Sequence, residues 1–294
     1  MSKTDATEDV REAAYRSNSN ILFAGVKGIQ MNPLPNLELP VFLILAYIYR
    51  EHFQWSLLLP MFIYYCFKEC ICMSVCLHRY FSHKGFSCSR SVQFILYYLG
   101  CLASQGPPLW WASKHRRHHA FCDTEQDPHS PVAFNKFYAW IGWAYTQEGP
   151  FGVGPDAEYL SDYFDYPELV YFESFNMLPV ILHHYLFYVY GGIAWAVYVS
   201  MLSGILCQLL TMYFNVAFHS HEPQEGVQCK ASDIPTDPLS QIFGEAYHLW
   251  HHENPRAFAR PGLDLPYYFF IKPLLVLGVF QGKNILRRNK ESAE

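Results

Sequence analysis

Apolar residues in this chain come in blocks, separated by long polar stretches. The first block covers residues 37–50, LELPVFLILAYIYR, and residues 34–36 can extend it. After a brief EHFQ, a second covers residues 55–77, WSLLLPMFIYYCFKECICMSVCL, roughly the length that crosses a hydrocarbon core. Lys68 and Glu69 interrupt it, and charges within a span face protein or a cavity rather than lipid. A third block, residues 177–218, is long enough for two spans, with YGG at 190–192 as the natural turn. Two hairpins follow, with spans at about 37–50, 55–77, 177–190 and 193–218.

Basic residues orient these spans. Four lie before Pro35, seven between residues 78 and 176, and eight after residue 218, whereas the hairpin turns hold only Arg50. Both termini and the long middle region are therefore expected on the cytoplasmic side. Residues 91–111 are broken by Gln, Gly and two prolines, and residues 265–280 by Lys272 and Pro273. Both stretches read as interfacial helices. The predicted fold is an all-α integral membrane protein of four transmembrane helices in two hairpins, with a cytoplasmic helical cap. Residues 37–285 form that domain, residues 1–36 a mobile cytoplasmic tail, and residues 286–294 a polar tail.

Composition adds little except by exclusion. The chain is 51% apolar and carries a net charge of −5, which argues against nucleic acid as a partner. Residues 1–20 contain Asp5, Glu8, Asp9 and Glu12, and fit neither a transit peptide nor a signal peptide. Four of the nine cysteines fall in CFKECICMSVC and read as small buried hydrophobes. A disulfide framework is not expected.

Histidine carries the candidate chemistry. Of fourteen, nine form a pattern: His78 and His83 in HRYFSH; His115, His118 and His119 in HRRHH; His248, His251 and His252 in HLWHH; and His219 in NVAFH, with Asn215 one turn earlier. On a helix, positions i, i+3 and i+4 share a face, so each HxxHH run aims three imidazoles one way. All groups sit at the cytoplasmic ends of apolar segments and can converge below the bilayer. Nine imidazoles exceed the four ligands of a zinc ion and suit two five- or six-coordinate ions. Imidazole serves iron, copper, zinc and nickel alike, so the ligands alone do not select iron. Asp123, Asp127 and Glu245 are candidates to orient the rings from behind. His129 can cap a turn. His183 and His184 lie inside the third span and read as structural. His52 lies in the distal turn, and His221 lacks a partner like Asn215.

At HRYFSH, HRRHHAFCDTEQDPHSP and GEAYHLWHH the chain resembles the membrane-bound fatty acyl desaturases, the family that includes the stearoyl-CoA and acyl-lipid Δ9-type enzymes. The resemblance covers roughly residues 38–285 and implies two iron ions. One would take His78, His83, His115, His119 and His251. The other would take His118, His219, His248 and His252, with Asn215 reaching it through water. It implies an O2-dependent, two-electron desaturation of a saturated acyl chain carried on CoA or lipid, with Δ9-like placement favoured. Gln105 and Trp111 stand beside the acyl tunnel of relatives, and Phe62 and Cys66 on the span that closes its far end, with Phe62 as a chain-length stop. Gly106 and Ser113 stand where acyl-CoA enzymes place an Asn and an Arg that hold CoA. No HPGG haem motif occurs, so a separate electron donor of cytochrome b5 or ferredoxin type is expected. The expected location is the endoplasmic reticulum membrane, with the site facing the cytosol. A diiron lipid hydroxylase and a non-catalytic metal-binding scaffold are the competing readings.

Overall fold

The computed structural model describes residues 33–145, 155–219 and 229–283. The two tails fall wholly or mostly outside these residues, as does His221. The described chain is almost entirely helical. Its first helix, α1 (Pro33–Ile48), has 16 residues and so rises only about 24 Å, less than a hydrocarbon core. A short turn at residues 49–57 leads into α2 (Leu58–Phe67), which continues into a wider-coiled segment, Lys68–Ser82. Together they make one helix, Trp55–Ser82, of 28 residues, long and apolar enough to cross a membrane. Its 28 residues exceed the roughly 20 that a hydrocarbon core needs, and His78 lies in its last turns.

A second such helical run, Met177–Ala217, has 41 residues. It is not straight. Between α6 (Met177–Trp195) and α7 (Leu202–Ala217), Gly191 and Gly192 leave helical geometry, and Gly192 sits at φ 69°, a conformation that only glycine adopts without cost. The chain reverses there. Nδ1 of His184 lies 2.9 Å from the Ser200 hydroxyl, although sixteen residues of straight helix would separate them by about 24 Å. His183 bonds Tyr64 at 2.9 Å, and His184 also faces Glu38 at 3.4 Å, so both rings tie helices together far from the histidine boxes.

The Lys68–Ser82 segment is the spine of the molecule. All but two of its residues are buried, including Lys68 and Glu69. One core cluster, with Val75, Phe81, Tyr97 and Tyr163, packs on one side of it; another, with Tyr65, Cys72, Leu102 and Cys207, packs on the other. Residues 91–111, expected as one interfacial helix, are α3 (Arg90–Cys101) and the start of α4 (Pro108–Phe121), joined by a buried loop. Ser104 at φ 60° and Gly106 at φ 91° end the first helix, and Pro107 and Pro108 start the second. Residues 267–276 form two short helical turns whose Phe269 and Val276 are 77% and 80% exposed. A two-stranded pairing of Ser87–Cys88 with Phe280–Gln281 fastens the end of the chain's described part to the first histidine box.

Candidate metal centre

Each histidine group is aimed by its own local structure. His78 and His83 are five apart, which is off-face for an α-helix. The Lys68–Ser82 segment instead makes i→i+5 bonds, and the amide of His83 donates to the carbonyl of His78 at 3.3 Å. The wider coil returns both rings to one side. His115, His118 and His119 occupy the last two turns of α4. The start of that helix is fixed by Glu173 on the neighbouring helix α5 (Pro167–Glu173), which accepts from the backbone amides of Trp110 at 2.6 Å and Leu109 at 3.2 Å and from the Tyr97 hydroxyl at 2.9 Å. A carboxyl there satisfies amides that a helix start leaves open, at the positive end of the helix dipole. Sequence reading missed Glu173, because its role depends on a contact across 63 residues. His248, His251 and His252 ride on α9 (His248–Glu253), numbered after α8 (Pro238–Ile242); Asp233 accepts from the Trp250 amide at 3.2 Å. His219 follows α7 directly.

The nine rings meet in two knots. The ligand atoms of His78, His83, His115, His119 and His251 lie within 4.8 Å of one another, and so do those of His118, His219, His248 and His252. In the first knot Nε2 faces Nε2: His83 to His115 at 2.9 Å, His115 to His119 at 3.1 Å, His119 to His251 and His251 to His78 each at 3.0 Å. In the second, the spacings are 2.9 Å from His219 to His248, 3.2 Å from His248 to His252, and 3.3 Å from His252 to His118. Two nitrogens held at about 2.0–2.1 Å from one ion and at right angles lie about 3 Å apart. The spacings fit such shells.

The opposite ring nitrogens bear on how these clusters could hold a metal ion. Nδ1 of His118 donates to Asp127 at 2.8 Å, Nδ1 of His219 to Asp123 at 3.0 Å, and Nδ1 of His78 faces Glu245 at 3.4 Å. A neutral ring has one proton. With it spent on the carboxylate, Nε2 presents a bare lone pair to its neighbours. Burial pushes His83, His115, His119, His248, His251 and His252 well below the usual imidazole range, which favours the neutral form. A cation between the knots' nitrogens would be held by such lone pairs.

The acids are built in. Asp127 is fully buried and also accepts from the amides of Asp123 and His129. Burial opposes its charge, but His118 wins and holds the carboxyl well below its usual range. Burial likewise opposes charging His118, and Asp127 lifts it above the ordinary value. Asp123, at φ 60°, accepts from Ser130 and from the Lys230 amide as well as from His219. Glu245 pairs with Arg260, whose Nη2 also lies 3.3 Å from Nδ1 of His251. Behind them Arg79 and Asp264 form a fully buried two-pronged pair at 2.8 and 2.9 Å, and a side chain at Gly244 would collide with both.

The remaining predicted residues divide. Asn215 lines the cavities beside the knots with His115 and His248. Trp111 stacks on His115, with ring centres 4.9 Å apart, and donates to Gln105 at 3.1 Å. Cys66 is half-buried against the second core cluster. Phe62 is half-exposed on α2, while Leu57, Met61 and Tyr65 beside it are buried. His129 is buried between His118 and Trp143. The reading of the cysteines also changes: Cys122 and Cys229, 107 residues apart, are joined in a disulfide beside His219 and His252. Nothing in their spacing announces it, since only the folded site brings α4 and the stretch before α8 together.

The profile of the family described as fatty acid desaturase matches residues 53–269. A Delta-9 acyl-lipid desaturase of Arabidopsis thaliana is 31% identical over 75% of this chain and 71% of its own length. A probable chloroplastic lipid desaturase of the same plant is 27% identical over 75% of this chain and 60% of its own length. An icosanoyl-CoA 5-desaturase of Limnanthes douglasii is 29% identical over 72% of this chain. The chain thus spans about 60% of the length of the latter two relatives.

Proposed function

Because this chain belongs to the fatty acid desaturase family, we propose that it introduces a cis double bond into a saturated acyl chain, near Δ9, consuming O2 and two electrons at two iron ions. The observation that carries the reading is the pair of nitrogen knots, with five and four imidazoles at ligand spacing. His78, His83, His115, His119 and His251 would hold one ion. His118, His219, His248 and His252 would hold the other, with Asn215 through water. When bound, such a pair supplies the oxidising power to break an unactivated alkyl C–H bond, which no side-chain acid or base can do. The chain's own residues do the rest. Asp127, Asp123 and Glu245 fix ring tautomers and aim Nε2 inward. Trp111, Thr211 and Phe214 give the neighbouring cavity a wall against which an acyl chain is positioned.

The carrier proposed is a lipid. Ser113 is fully buried, bonded to the Trp110 carbonyl and the Asp156 amide, and offers a nucleotide no charge. Lys114, one residue on, is committed to Asp156 at 3.1 Å. The relatives include both acyl-lipid and acyl-CoA enzymes at similar identity, so the choice rests on these residues. Four spans, with the histidine face on the side of the basic loops and a separate electron donor docking there, complete the proposal. The proposed side of the membrane follows the bias of basic residues, and the endoplasmic reticulum is the membrane proposed.

Expression in a desaturase-deficient yeast, with double bonds mapped in the lipids and metal counted in the purified protein, tests the function. New alkene with two irons per chain is expected. A hydroxylated lipid, or zinc in place of iron with no lipid change, would replace the reading with one of its competitors.

A further inference from the structure

The four-histidine knot is held from behind by two short pieces of chain. Nδ1 of His118 meets Asp127 at 2.8 Å, Nδ1 of His219 meets Asp123 at 3.0 Å, and Nδ1 of His252 meets the Cys229 sulfur at 3.5 Å. Asp123 and Asp127 lie on the loop after α4, which begins with Cys122. Lys230, next to Cys229, donates its amide to Asp123 at 2.7 Å. The Cys122–Cys229 disulfide therefore fastens together the two pieces that aim three of the four rings. The five-histidine knot is backed instead by Glu245 and Arg260, and among the described residues none of its rings bonds to either cysteine.

The oxidation state of that pair changes what faces the knot. A disulfide sulfur has no proton and only accepts, so Nδ1 of His252 donates to it and Nε2 keeps a lone pair for a metal. A thiol in its place gains an S–H that can point at Nδ1, and a neutral ring that accepts there carries its proton on Nε2 instead. Breaking the bond also unties the loop of Asp123 and Asp127 from Lys230. The two sulfurs differ in access: Cys122 is buried, whereas Cys229 is partly exposed and open to an incoming thiol. On a reducing face of a membrane, a cysteine pair that bonds is a transient one. We propose that Cys122 and Cys229 are a thiol–disulfide exchange site that governs whether the four-histidine knot keeps its ion. A dithiol reductant attacks the Cys229 sulfur. As the new S–S bond forms, the Cys122–Cys229 bond breaks, and Cys122 leaves with the electron pair and takes up a proton. The second thiol of the reductant then attacks the mixed bond, and Cys229 leaves as a thiol; the reductant ends as a disulfide and the protein as two thiols. The oxidised pair holds the knot, and the reduced pair loosens it. The inference rests on the reading that this knot holds a metal ion.

The test loads the detergent-solubilised full chain with ferrous iron under anaerobic conditions and titrates it with a ferrous chelator. The titration is run before and after a phosphine reduces the disulfide and is removed. After reduction, one ion should be held about 10–100-fold less tightly and the other as before, because losing a group that orients a metal-binding ring costs about that much. Cys122→Ser should hold one ion weakly from the start and not respond to the phosphine. Reoxidation of reduced wild type should restore the tight hold, and stands in for Cys122→Ser if that variant does not fold. Equal affinities in the oxidised and reduced protein, equal loosening of both ions, or a response to phosphine in Cys122→Ser overturns the proposal. A chain that holds no iron in either state sinks the metal reading and the switch with it, whereas two ions held alike in both states sinks the switch alone.

Discussion

The carboxyl of Glu173 is the most exacting test of how the histidine helix is held. Glu173→Ala leaves the amides of Leu109 and Trp110 without their buried acceptor and takes the carboxyl away from the Tyr97 hydroxyl. Each unsatisfied group costs about 1–3 kcal/mol, and losing a helix cap costs about 0.5–2 kcal/mol. These overlap, since two of the three donors belong to the cap, so a net loss of about 3–5 kcal/mol is expected. The titration gives an independent signature. Burial is the main cause that pushes Glu173 from 4.5 up to about 7, with its hydrogen-bond donors pulling the other way. The native state therefore binds a proton that the unfolded chain has released. The contribution is fully present below pH 4.5 and is lost as pH rises through about 7. Glu173→Gln keeps an acceptor and cannot titrate. Denaturant unfolding of metal-free protein, as the difference between wild type and Glu173→Gln, should decline by on the order of 3 kcal/mol across that window. Taking the difference cancels the histidines common to both proteins. A flat difference, or a Glu173→Ala loss under about 1 kcal/mol, would refute the reasoning.

Three further outcomes follow from the site. Asp127→Asn removes the charge that aims His118, so metal affinity at the four-histidine knot should fall about 10–100-fold and metal per chain should approach one; two tightly held ions in that variant would show that Asp127 is dispensable. Burial lowers His83, His115, His119 and His251 of the five-histidine knot well below 6.5, so protons should displace an ion from that knot only below that pH, and a release midpoint at or above it, measured against a chelator, would contradict the burial argument. Denatured without reductant, the protein should offer seven reactive thiols, and nine after reduction, when counted by mass after alkylation; nine from the start would remove the Cys122–Cys229 link.

The histidines were legible because helical spacing is a local property. HRRHH and HLWHH each put three rings on one face, and the sequence says so without help. His78 and His83 were legible only as a motif, because the i→i+5 coil that aligns them is a product of packing along the buried spine. Asp123 and Asp127 could be named from their nearness to the second box. Which ring each holds could not, since Asp123 serves a histidine 96 residues away. Glu173 and Arg260 escaped entirely. Both act through contacts between elements, and neither sits in a pattern. Which face of α2 Phe62 takes was not legible either: an apolar residue suits an outer or an inner face, and only the buried register of Met61 and Tyr65 leaves it half-exposed. The turn at residues 190–192 lay where the sequence put it, because two adjacent glycines in an apolar run have few other uses.

The knots also bear on how the chain assembles. His78 meets His251 across 173 residues, and His118 meets His252 across 134. Loops of that size close late and slowly, because their entropy is spent before any contact rewards it. The last ligands to arrive come from α9, a helix of six residues with little strength of its own. On the proposed function, metal capture would be the latch of the folding route rather than an event after it. A newly made chain starved of metal would carry an intact helical bundle with a loose third box, and that box is where quality-control proteases would find their first cut.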